Sequence, residues 1–296
     1  MLATLVAQPF DREGWVYEEK YDGYRILAYK EGKKVTLRSR NAKDRTATFG
    51  EVAAAVARLK DRTLLLDGEV VAFDRKRVSR FQLLQRGHAR RAFAVFDCLY
   101  RNGRDLRQEP LGKRRRELEA AIARPSPEIF LSRRLAADGL AAYRLARRKG
   151  FEGLVAKDGA AFYEQRRSRK WLKVKIHQEE EFVIGGFTAP RGSRRHLGAL
   201  LLGAYRGNDL RFVGKVGTGF SDATLASLAG AFRTLERKSS AFVDPPREKR
   251  VHWLQPRLVT QIAFQEWTAD EKLRQPAFLG LRDDKSPREC RLPEKS

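Results

Sequence analysis

Apolar and polar positions in about the first 177 residues switch between a period of two and a period near 3.6, which predicts strands interleaved with helices. Turn residues separate the apolar runs, as the Asp22-Gly23 pair does between the first two strands. The predicted helices span residues 51–60, 113–123 and 140–149. The predicted strands span residues 15–20, 24–30, 35–38, 64–66 continued by 70–73, 92–96, 153–157 and 171–176.

The pattern changes near Gln178, where short strands with glycine-rich joints begin. One helix is predicted at residues 221–238, and a loop with two prolines follows it. Five or so short strands and a helix in about 110 residues predict a small barrel, for which an OB-fold is the natural candidate. We therefore predict two domains, residues 1–178 and 179–296, with barrel strands at 182–187, 198–205, 210–216, 251–254 and 258–267.

Basic residues are in large excess over acidic ones, with 61 lysines and arginines against 37 aspartates and glutamates and a formal net charge of +24. The chain is 42% hydrophobic, which is enough for a real core. A charge surplus of this size on such a chain indicates a polyanionic partner, most simply nucleic acid. A general solubility effect is the alternative, although the basic residues are spread over the chain rather than gathered in a tail.

Cysteine usage and hydropathy exclude several classes of protein. Cys98 and Cys290 lie far apart without metal-type spacing, so we expect neither a disulfide framework nor a zinc site. We find no signal sequence and no apolar run of about 20 residues, so we expect no membrane span and a cytoplasmic setting.

A lysine near the start of the chain is a candidate covalent nucleophile, in the run Glu19-Lys20-Tyr21-Asp22-Gly23-Tyr24-Arg25. A lysine is protonated at neutral pH, so its pKa must be lowered by burial or by neighbouring cations. Lys173 and Lys175 could supply those cations, because they alternate with apolar residues and project from one face of a strand. The alternatives are an ordinary charged hairpin at residues 19–25 and a half-exposed strand with solvent lysines at residues 171–176.

Three carboxylates are candidates for binding Mg²⁺ or ribose hydroxyls: Asp22, Glu69 in Asp67-Gly68-Glu69, and Glu152. Each could equally be a turn or hairpin residue. Phe96 ends an apolar strand and could stack on a base, or it could be a core phenylalanine.

The joint order of these motifs is more specific than any one of them. The chain resembles the covalent nucleotidyltransferase superfamily over nearly its whole length. Within it, the chain is most similar to ATP-dependent DNA ligases, especially the ligase module of bacterial end-joining ligases. The motifs that carry the resemblance are, in order, Lys20-Tyr21-Asp22-Gly23-Tyr24-Arg25, Ser39-Arg40, Asp67-Gly68-Glu69, Phe96-Asp97, Glu152-Gly153-Leu154-Val155-Ala156-Lys157, Trp171-Leu172-Lys173-Val174-Lys175 and Arg282-Asp283-Asp284-Lys285.

The resemblance implies an α+β fold, in which a nucleotidyltransferase domain of ATP-grasp-like antiparallel sheets with helices precedes an OB-fold β-barrel. It also implies a three-step reaction. Lys20 attacks the α-phosphate of ATP and forms lysyl-AMP with release of pyrophosphate, the AMP passes to the 5′-phosphate of a nick, and the 3′-hydroxyl then displaces AMP. The implied cofactors are ATP and Mg²⁺ or Mn²⁺, and the implied role is DNA repair.

The resemblance assigns roles to individual residues. Asp22, Glu69 and Glu152 match metal-site positions, and Glu69 and Phe96 also match the ribose-binding and adenine-stacking residues. The implied catalytic residues are Lys20, Asp22, Arg25, Lys173, Lys175, Arg282, Asp284 and Lys285. The implied nucleotide-binding residues are Glu18, Glu19, Lys20, Arg25, Arg40, Glu69, Phe96, Glu152, Lys173 and Lys175.

The last motif, from Arg282 to Lys285, implies a domain movement. It matches residues that orient the pyrophosphate leaving group, so the two domains should close for the first step and reopen to accept DNA. The expected partners are nicked duplex DNA, bound by its phosphates, and DNA-end-binding repair proteins, with a monomeric ligase. An RNA ligase, a capping-type nucleotidyltransferase and a non-catalytic basic nucleic-acid-binding protein are the alternatives.

Overall fold

The computed structural model of the protein describes residues 1–85, 89–176, 179–190 and 196–293. The chain divides into two units, Met1–His177 and Gln178–Ser296. The domain boundary predicted at Gln178 lies outside the described residues and stays a prediction. Among the helices of the described ranges, none is long and apolar enough to cross a membrane.

The first unit contains eleven strands and four helices in its described residues. Every predicted element of this unit has a counterpart, with bounds that differ from the predicted ones by a few residues in either direction. The strands are β1 Leu2–Leu5, β2 Trp15–Lys20, β3 Tyr24–Glu31, β4 Lys34–Ser39, β5 Thr63–Ala72, β6 Arg91–Arg101, β7 Arg104–Asp105, β8 Ile129–Leu131, β9 Arg134–Ala136, β10 Gly153–Asp158 and β11 Arg167–Lys175. The helices are α1 Gly50–Ala57, α2 Phe81–Gln85, α3 Leu111–Ala121 and α4 Gly139–Lys149.

Two sheets organise this unit. One has the strand order β1-β11-β10-β2-β9, and the other has the order β4-β3-β5-β6-β7 with β8 paired to β6. The strands on either side of the Asp22-Gly23 turn therefore belong to different sheets, and the hairpin interpretation is wrong. Residues 21–23 carry the chain from one sheet to the other. Gly23 is required there because a Cβ would overlap the carbonyl oxygen of Val70.

Each sheet buries one face against helices, as alternating strand patterns require. In the six-stranded sheet, Ile26 and Leu66 pack in one cluster with Val56 of α1 and Leu118 of α3. In the five-stranded sheet, Tyr17, Leu154 and Val174 pack in another cluster with Ala142 of α4. The residues between these positions project from the opposite face of each sheet, where the charged motifs lie.

The second unit is one sheet with the strand order β14-β13-β12-β16-β15 and with β17 paired to β16. Phe182 and Leu202 of this sheet pack with Leu228 of a helix. The elements are β12 Glu179–Thr188, β13 Leu200–Arg206, β14 Asp209–Val216, α5 Asp222–Phe232, β15 Glu236–Arg237, β16 Val251–Ala263, β17 Ala277–Leu281 and a 3₁₀ turn at Pro287–Glu289.

Three elements of this unit differ from the prediction, and one of them is β17, for which no strand was predicted. Helix α5 starts after an N-cap at Ser221 but ends at Phe232, because Glu236 and Arg237 pair with β16 instead of continuing the helix. The two strands predicted at 251–254 and 258–267 form the single strand β16. Its register against β12 shifts between Ile184 and Gly186, opposite the segment that contains Pro256. A proline has no N–H for the ladder, so a bulge accommodates it.

Candidate active site

Lys20 lies at the end of β2, in a row of three residues that crosses the five-stranded sheet. Gly153 of β10 pairs with Lys20 on one side and with Lys175 of β11 on the other. The next row, two residues along each strand, contains Glu18, Val155 and Lys173. Directly paired residues share a face of the sheet, so these charged side chains lie on the face opposite the Tyr17 cluster. The prediction that Lys173 and Lys175 share a face is confirmed by this register.

Gly153 leaves the centre of the first row open. A glycine has no side chain there to separate Lys20 from Lys175, and a Cβ at this position would overlap the carbonyl oxygen of Val174. The residues of this face line a pocket together with residues from the other sheet of the unit. They include Glu18, Lys20, Arg25, Glu69, Phe96, Lys157, Trp171 and Lys173.

Lys20 forms an ion pair with Glu152, the residue that precedes β10. The Lys20 side chain is 18% exposed and that of Glu152 is 8% exposed. Burial disfavours the ammonium ion, but Glu152, with Asp22 and Glu69, outweighs burial and raises the pKa of Lys20. The expectation that the pKa of Lys20 is lowered by neighbouring cations is therefore wrong. The carboxylate of Glu152 keeps Lys20 protonated.

Arg25 is held by a carboxylate on the neighbouring strand. Its Nε and Nη2 donate to Oδ1 and Oδ2 of Asp67 at 3.0 and 2.6 Å, and the Tyr163 hydroxyl donates to the same Oδ2 at 2.8 Å. Burial opposes the ionised form of Asp67, but Arg25 more than offsets it and lowers the pKa of Asp67. One edge of the guanidinium is thus fixed, which orients the rest of the group towards the pocket that it lines.

Glu18 is the centre of a buried charged cluster beneath the pocket. It accepts a hydrogen bond from Arg115 of α3 on Oε1 and one from Lys157 Nζ on Oε2, the latter at 2.9 Å. The ammonium group of Lys157 lies 4.3 Å from the ring centroids of both Phe96 and Trp171. The two rings meet edge to face at a centroid distance of 5.8 Å. This cluster fixes two aromatic rings and a carboxylate side by side in the pocket.

Phe96 is held in place by the residue that follows it and by Arg25 of β3. Asp97, the next residue, is fully buried and accepts two hydrogen bonds of 2.8 Å from Arg114. The Arg25 guanidinium lies 5.5 Å from the Phe96 ring. Phe96 is therefore a pocket residue with cations on either side and not a member of the main apolar core.

Glu19 is also among the residues that line the pocket, although its side chain lies on the opposite face of the strand from Lys20, since neighbours in a strand face opposite sides. Burial raises its pKa to about 7, and Arg133, at 3.1 Å from Oε2, offsets only part of that effect. The folded chain holds this proton more tightly than the unfolded chain, where the pKa is 4.5. The contribution of Glu19 to stability is therefore fully present below pH 4.5 and is lost as the pH rises through about 7.

We expect Glu19→Gln to stabilise the protein relative to the wild type by about 2 kcal/mol more at pH 8 than at pH 5, because glutamine has no charge to bury. Urea unfolding at the two pH values measures this difference. Glu119→Gln is the matched control, because Glu119 is 48% exposed on α3. An equal effect of Glu19→Gln at both pH values would refute the prediction.

Three predicted site residues have positions that the sequence does not reveal. Asp22 accepts a hydrogen bond from the backbone N–H of Phe81 at 2.9 Å, and its own N–H donates to Ser79. The Asp22 carboxylate thus caps the first residue of helix α2. Arg40 lines a separate groove with Tyr29 and Arg38, and neither Arg40 nor Lys175 is among the described residues that line the Lys20 pocket.

The pocket suits a nucleotide, and a magnesium ion with it. Cations at Lys20, Arg25 and Lys173 fit phosphates, and the rings of Phe96 and Trp171 fit a base. Glu152 Oε2 is buried and has no hydrogen-bond partner within the described chain, which leaves it free for a metal. No three His, Cys, Asp or Glu side chains of the described ranges converge on one point. Magnesium usually takes one or two carboxylates and completes its shell with phosphates and water.

The motif at the end of the chain is described within the second unit alone. Arg282 donates to both oxygens of Asp284 at 2.8 Å and from Nη1 to Gln261 at 3.1 Å. Lys285 lies 3.4 Å from Glu181. Arg282 and Asp284 are both buried, so they form a rigid pair beside the sheet.

Four residues of the pocket and its support were missed as site residues from the sequence: Lys157, Trp171, Arg115 and Tyr163. Two of them could have been found from strand alternation. Trp171 is two residues from Lys173 on β11, and Lys157 is four residues from Gly153 on β10, so each lies on the face of the site. Arg115 and Tyr163 had no such signal, since they reach the site from a helix and a loop.

Comparisons with known proteins agree along the chain. Residues 1–175 match the family described as ATP dependent DNA ligase domain, and residues 193–285 match the ATP dependent DNA ligase C terminal region. The chain is 39% identical to the Multifunctional non-homologous end joining protein LigD of Pseudomonas aeruginosa, covering 97% of this chain and 36% of that protein. It is 34% identical to a DNA ligase of Thermococcus fumicolans, covering 93% of this chain and 53% of that protein. The chain thus spans about a third to a half of the length of these curated relatives.

A solved structure has the same fold over nearly the whole chain. It is described as mycobacterial DNA ligase D complexed with ATP and MES, and it matches with a TM-score of 0.71, 34% identity, and coverage of 99% of this chain and 98% of that one. The predicted fold class, an α+β nucleotidyltransferase domain followed by an OB-like domain, is confirmed by this match.

Proposed function

The chain belongs to the ATP-dependent DNA ligase family, and on that premise we propose that it seals breaks between a 3′-hydroxyl and a 5′-phosphate in duplex DNA at the expense of ATP. The observation that carries this proposal is the position of Lys20. Its amine lies in a pocket lined by Lys173 and two aromatic rings, and it forms an ion pair with Glu152. A nucleophile, a proton acceptor and phosphate-binding cations are the groups that covalent transfer of AMP requires.

The first step is the transfer of AMP to Lys20. A bond forms between Nζ and the α-phosphorus of ATP, and the bond from that phosphorus to the pyrophosphate oxygen breaks. Nζ starts as an ammonium and loses two protons, one before it attacks and one as the N–P bond forms. Glu152 Oε1 already accepts a hydrogen bond from Nζ and is the acceptor for the first proton, and the second passes to water. Lys173 and Arg25 neutralise the charge on the phosphates as pyrophosphate departs.

The two later steps use the same site. A 5′-phosphate oxygen forms a bond to the AMP phosphorus, the N–P bond to Lys20 breaks, and Nζ takes up two protons to become an ammonium again. The 3′-hydroxyl oxygen then forms a bond to the 5′-phosphorus and releases its proton to water, and the bond from that phosphorus to AMP breaks so that AMP leaves. Arg25, oriented by Asp67 and Tyr163, is placed to hold a phosphate through these steps.

We assign the nucleotide by the same geometry. Phe96, with Trp171 packed edge to face against it, provides the ring for the base, and Glu18 and Glu69 accept from the donors of the base and from the ribose hydroxyls. Asp22, Glu69 and Glu152 are the candidate carboxylates for Mg²⁺ or Mn²⁺, of which one or two would hold the ion. The bound metal would neutralise charge on the phosphates. Glu152 is the best supported of the three, because its second oxygen is unpaired.

We further propose that the protein works in double-strand break repair in the cytoplasm, as a monomer that cooperates with DNA-end-binding proteins. Relatives named for non-homologous end joining support this setting. The net charge of +24 supports binding through DNA phosphates, which should be sequence-tolerant and strongly dependent on salt. An RNA ligase or capping-type enzyme is not favoured, because the matched families are both DNA ligase regions.

Labelling with ATP tests the proposal directly. The protein is incubated with Mg²⁺ and ATP labelled at the α-phosphate, and an acid-stable adduct that pyrophosphate reverses is expected. The adduct should then chase onto a nicked duplex and yield sealed DNA. Absence of the adduct, or an adduct that never transfers to DNA, would refute the proposal. GTP in place of ATP and a nicked RNA duplex distinguish the alternatives.

Arg282 should matter for the first step only. We expect Arg282→Ala to slow formation of the AMP adduct at least about 100-fold, because a cation near the pyrophosphate acts on that step alone. Sealing of a nick that already carries AMP on its 5′-phosphate should change less than about threefold. Arg274→Ala is the matched control, since Arg274 is 58% exposed in the same unit. Equal losses in both assays would contradict the assignment.

A further inference from the structure

A second groove lies on the same sheet face as Arg25 but further along the strands. From Arg25, the same-face positions of β3 are Leu27 and Tyr29, and the latter pairs with Leu65 of β5. The groove has a volume of about 1030 Å³ and shares none of its lining residues with the Lys20 pocket. A strand advances about 3.3 Å per residue, so Tyr29 lies about 13 Å from Arg25 along β3. We call this site the outer groove.

The floor of the outer groove is apolar although it faces solvent. Tyr29 is 43% exposed in the middle of the sheet, since β3 is paired on both sides by β4 and β5. Leu27 and Leu65 flank it and are only half-buried. The exposed face of an antiparallel sheet is usually polar. An exposed aromatic ring on an apolar floor is the arrangement that a flat, partly apolar ligand would cover.

The rim of the outer groove is cationic. Four basic side chains and two acidic ones line this rim. Lys34 is exposed and has no ion-pair partner in the described part of the chain, so it can take a phosphate. Arg107 forms a two-point pair with Asp105, which is 47% exposed, so a phosphate would have to share Arg107 with that carboxylate. Lys30 also borders the groove, but it is buried and donates to the backbone carbonyls of Gly32 and Asp61. The four basic rim residues are Lys34, Arg38, Arg40 and Arg107.

A flat aromatic floor with a basic rim matches the way that proteins bind unpaired nucleic acid strands. Bases stack on exposed aromatic rings, and lysines and arginines follow the phosphates. A duplex offers only sugars and phosphates to such a floor, because its bases are stacked inside. The exposure of Tyr29 therefore favours an unpaired strand over a duplex.

We propose that the outer groove holds unpaired nucleotides of a DNA strand near the joint, so that this protein accepts ends that are not fully base-paired. The identity of the nucleic acid rests on the proposed function, while the preference for an unpaired strand rests on Tyr29 and the rim. The distance of about 13 Å from Arg25 corresponds to about four nucleotides at a rise of 3.4 Å, so the contact should begin that far from the phosphate in the catalytic pocket.

Direct binding is the first test. A fluorescent oligothymidylate of about twelve nucleotides is titrated with the full chain. We expect Tyr29→Ala to weaken binding at least about fivefold, and Tyr29→Phe to bind like the wild type, because stacking needs the ring and not the hydroxyl. Lys34→Gln should reduce the slope of log affinity against log salt by about 0.7, as one lost phosphate contact on a single strand predicts. Leu140→Ala and Arg148→Gln, both at exposed positions on α4, are the matched controls.

Sealing assays supply the second test. Three nicked duplexes are compared. The first has about four mismatched thymidines on the 5′ side of the nick, and the second has them on the 3′ side, in each case beginning about four nucleotides from the nick. The third is fully paired. Tyr29→Ala should lower sealing of one mismatched substrate at least about fivefold at limiting DNA. AMP labelling of Lys20 and sealing of the fully paired nick should stay as in the wild type.

The possible outcomes separate the two proposals. An equal loss on the fully paired nick would mean that the groove contacts duplex DNA, and no loss in any assay would mean that it binds no nucleic acid; either result overturns this inference. A wild-type protein that forms no AMP adduct would refute the proposed function, yet the oligothymidylate titration would still decide on the outer groove. Thermal unfolding of Tyr29→Ala verifies that the variant is folded.

Discussion

Lys20→Arg is expected to lower the rate of AMP labelling at least about 1,000-fold while leaving the fold intact. An arginine can keep the ion pair with Glu152, because it carries the same charge and reaches a similar distance. It cannot act as a nucleophile, since a guanidinium does not lose its proton in a protein. The variant therefore separates the electrostatic role of residue 20 from its role in bond formation. Labelling with ATP that carries the label on the α-phosphate measures the loss.

The control for this variant lies on a strand of the same sheet. Lys170 is 57% exposed on β11 and is paired with Asp158, so Lys170→Arg should label like the wild type. A second measurement uses a nick that already carries AMP. Lys20→Arg should seal this substrate within about tenfold of the wild-type rate, because the last step needs no amine as nucleophile. Undiminished labelling of Lys20→Arg would show that another residue accepts the AMP.

The part of the site that lies on strands could be predicted from the sequence. Lys173 and Lys175 alternate with Leu172 and Val174, and residues two apart in a strand project from the same face of the sheet. The pairing of both strands with β10 then brings these lysines to the same face as Lys20. Glu18, which only the family resemblance named, lies on the same face because it is two residues before Lys20.

Contacts between distant segments could not be predicted in this way. Arg115 reaches Glu18 across 97 residues of sequence, and only the packing of α3 against the sheet brings it there. The role of Asp22 in starting α2 depends likewise on Phe81, 59 residues away. Local periodicity describes which face a side chain occupies and carries no information about which distant element covers that face.

The pKa of Lys20 illustrates the same limit in energetic terms. The sequence displays two lysines that could lower it, but the sign depends on distances to every charge and on burial. In the folded protein, Glu152, 132 residues away, contacts the ammonium and outweighs burial. The sequence thus pointed to Lys20 as the reactive group but predicted the wrong direction for the shift of its pKa.

The hairpin alternative for the Asp-Gly turn is wrong for a related reason. Two strand patterns around such a pair are typical of a hairpin. The same pattern also fits a chain that leaves one sheet and enters another, as β2 and β3 do. This crossing is functionally important, because it brings Lys20 on one sheet and Arg25 on the other to the same pocket within six residues of sequence.

Glu152→Gln should have opposite effects on the reactivity of the Lys20 amine and on catalysis. Glutamine keeps the size of the side chain but removes the charge that raises the pKa of Lys20, so burial then acts with less opposition and the pKa falls. The neutral, reactive fraction of Lys20 at a fixed pH increases as a result, tenfold for each unit of the fall. Acetylation of Lys20 without ATP, followed by mass spectrometry from pH 7 to 10, should therefore begin at a lower pH in the variant.

AMP labelling by Glu152→Gln is nevertheless expected to fall at least about 100-fold, since glutamine accepts no proton and is a poor metal ligand. Glu164→Gln, at a carboxylate outside the pocket lining, should change neither acetylation nor labelling. If acetylation and labelling both increased in Glu152→Gln, the carboxylate would only restrain the nucleophile. If acetylation increases while labelling falls, the Glu152 carboxylate both keeps Lys20 protonated at rest and accepts its proton during the reaction. ATP must then bind before the amine becomes a nucleophile.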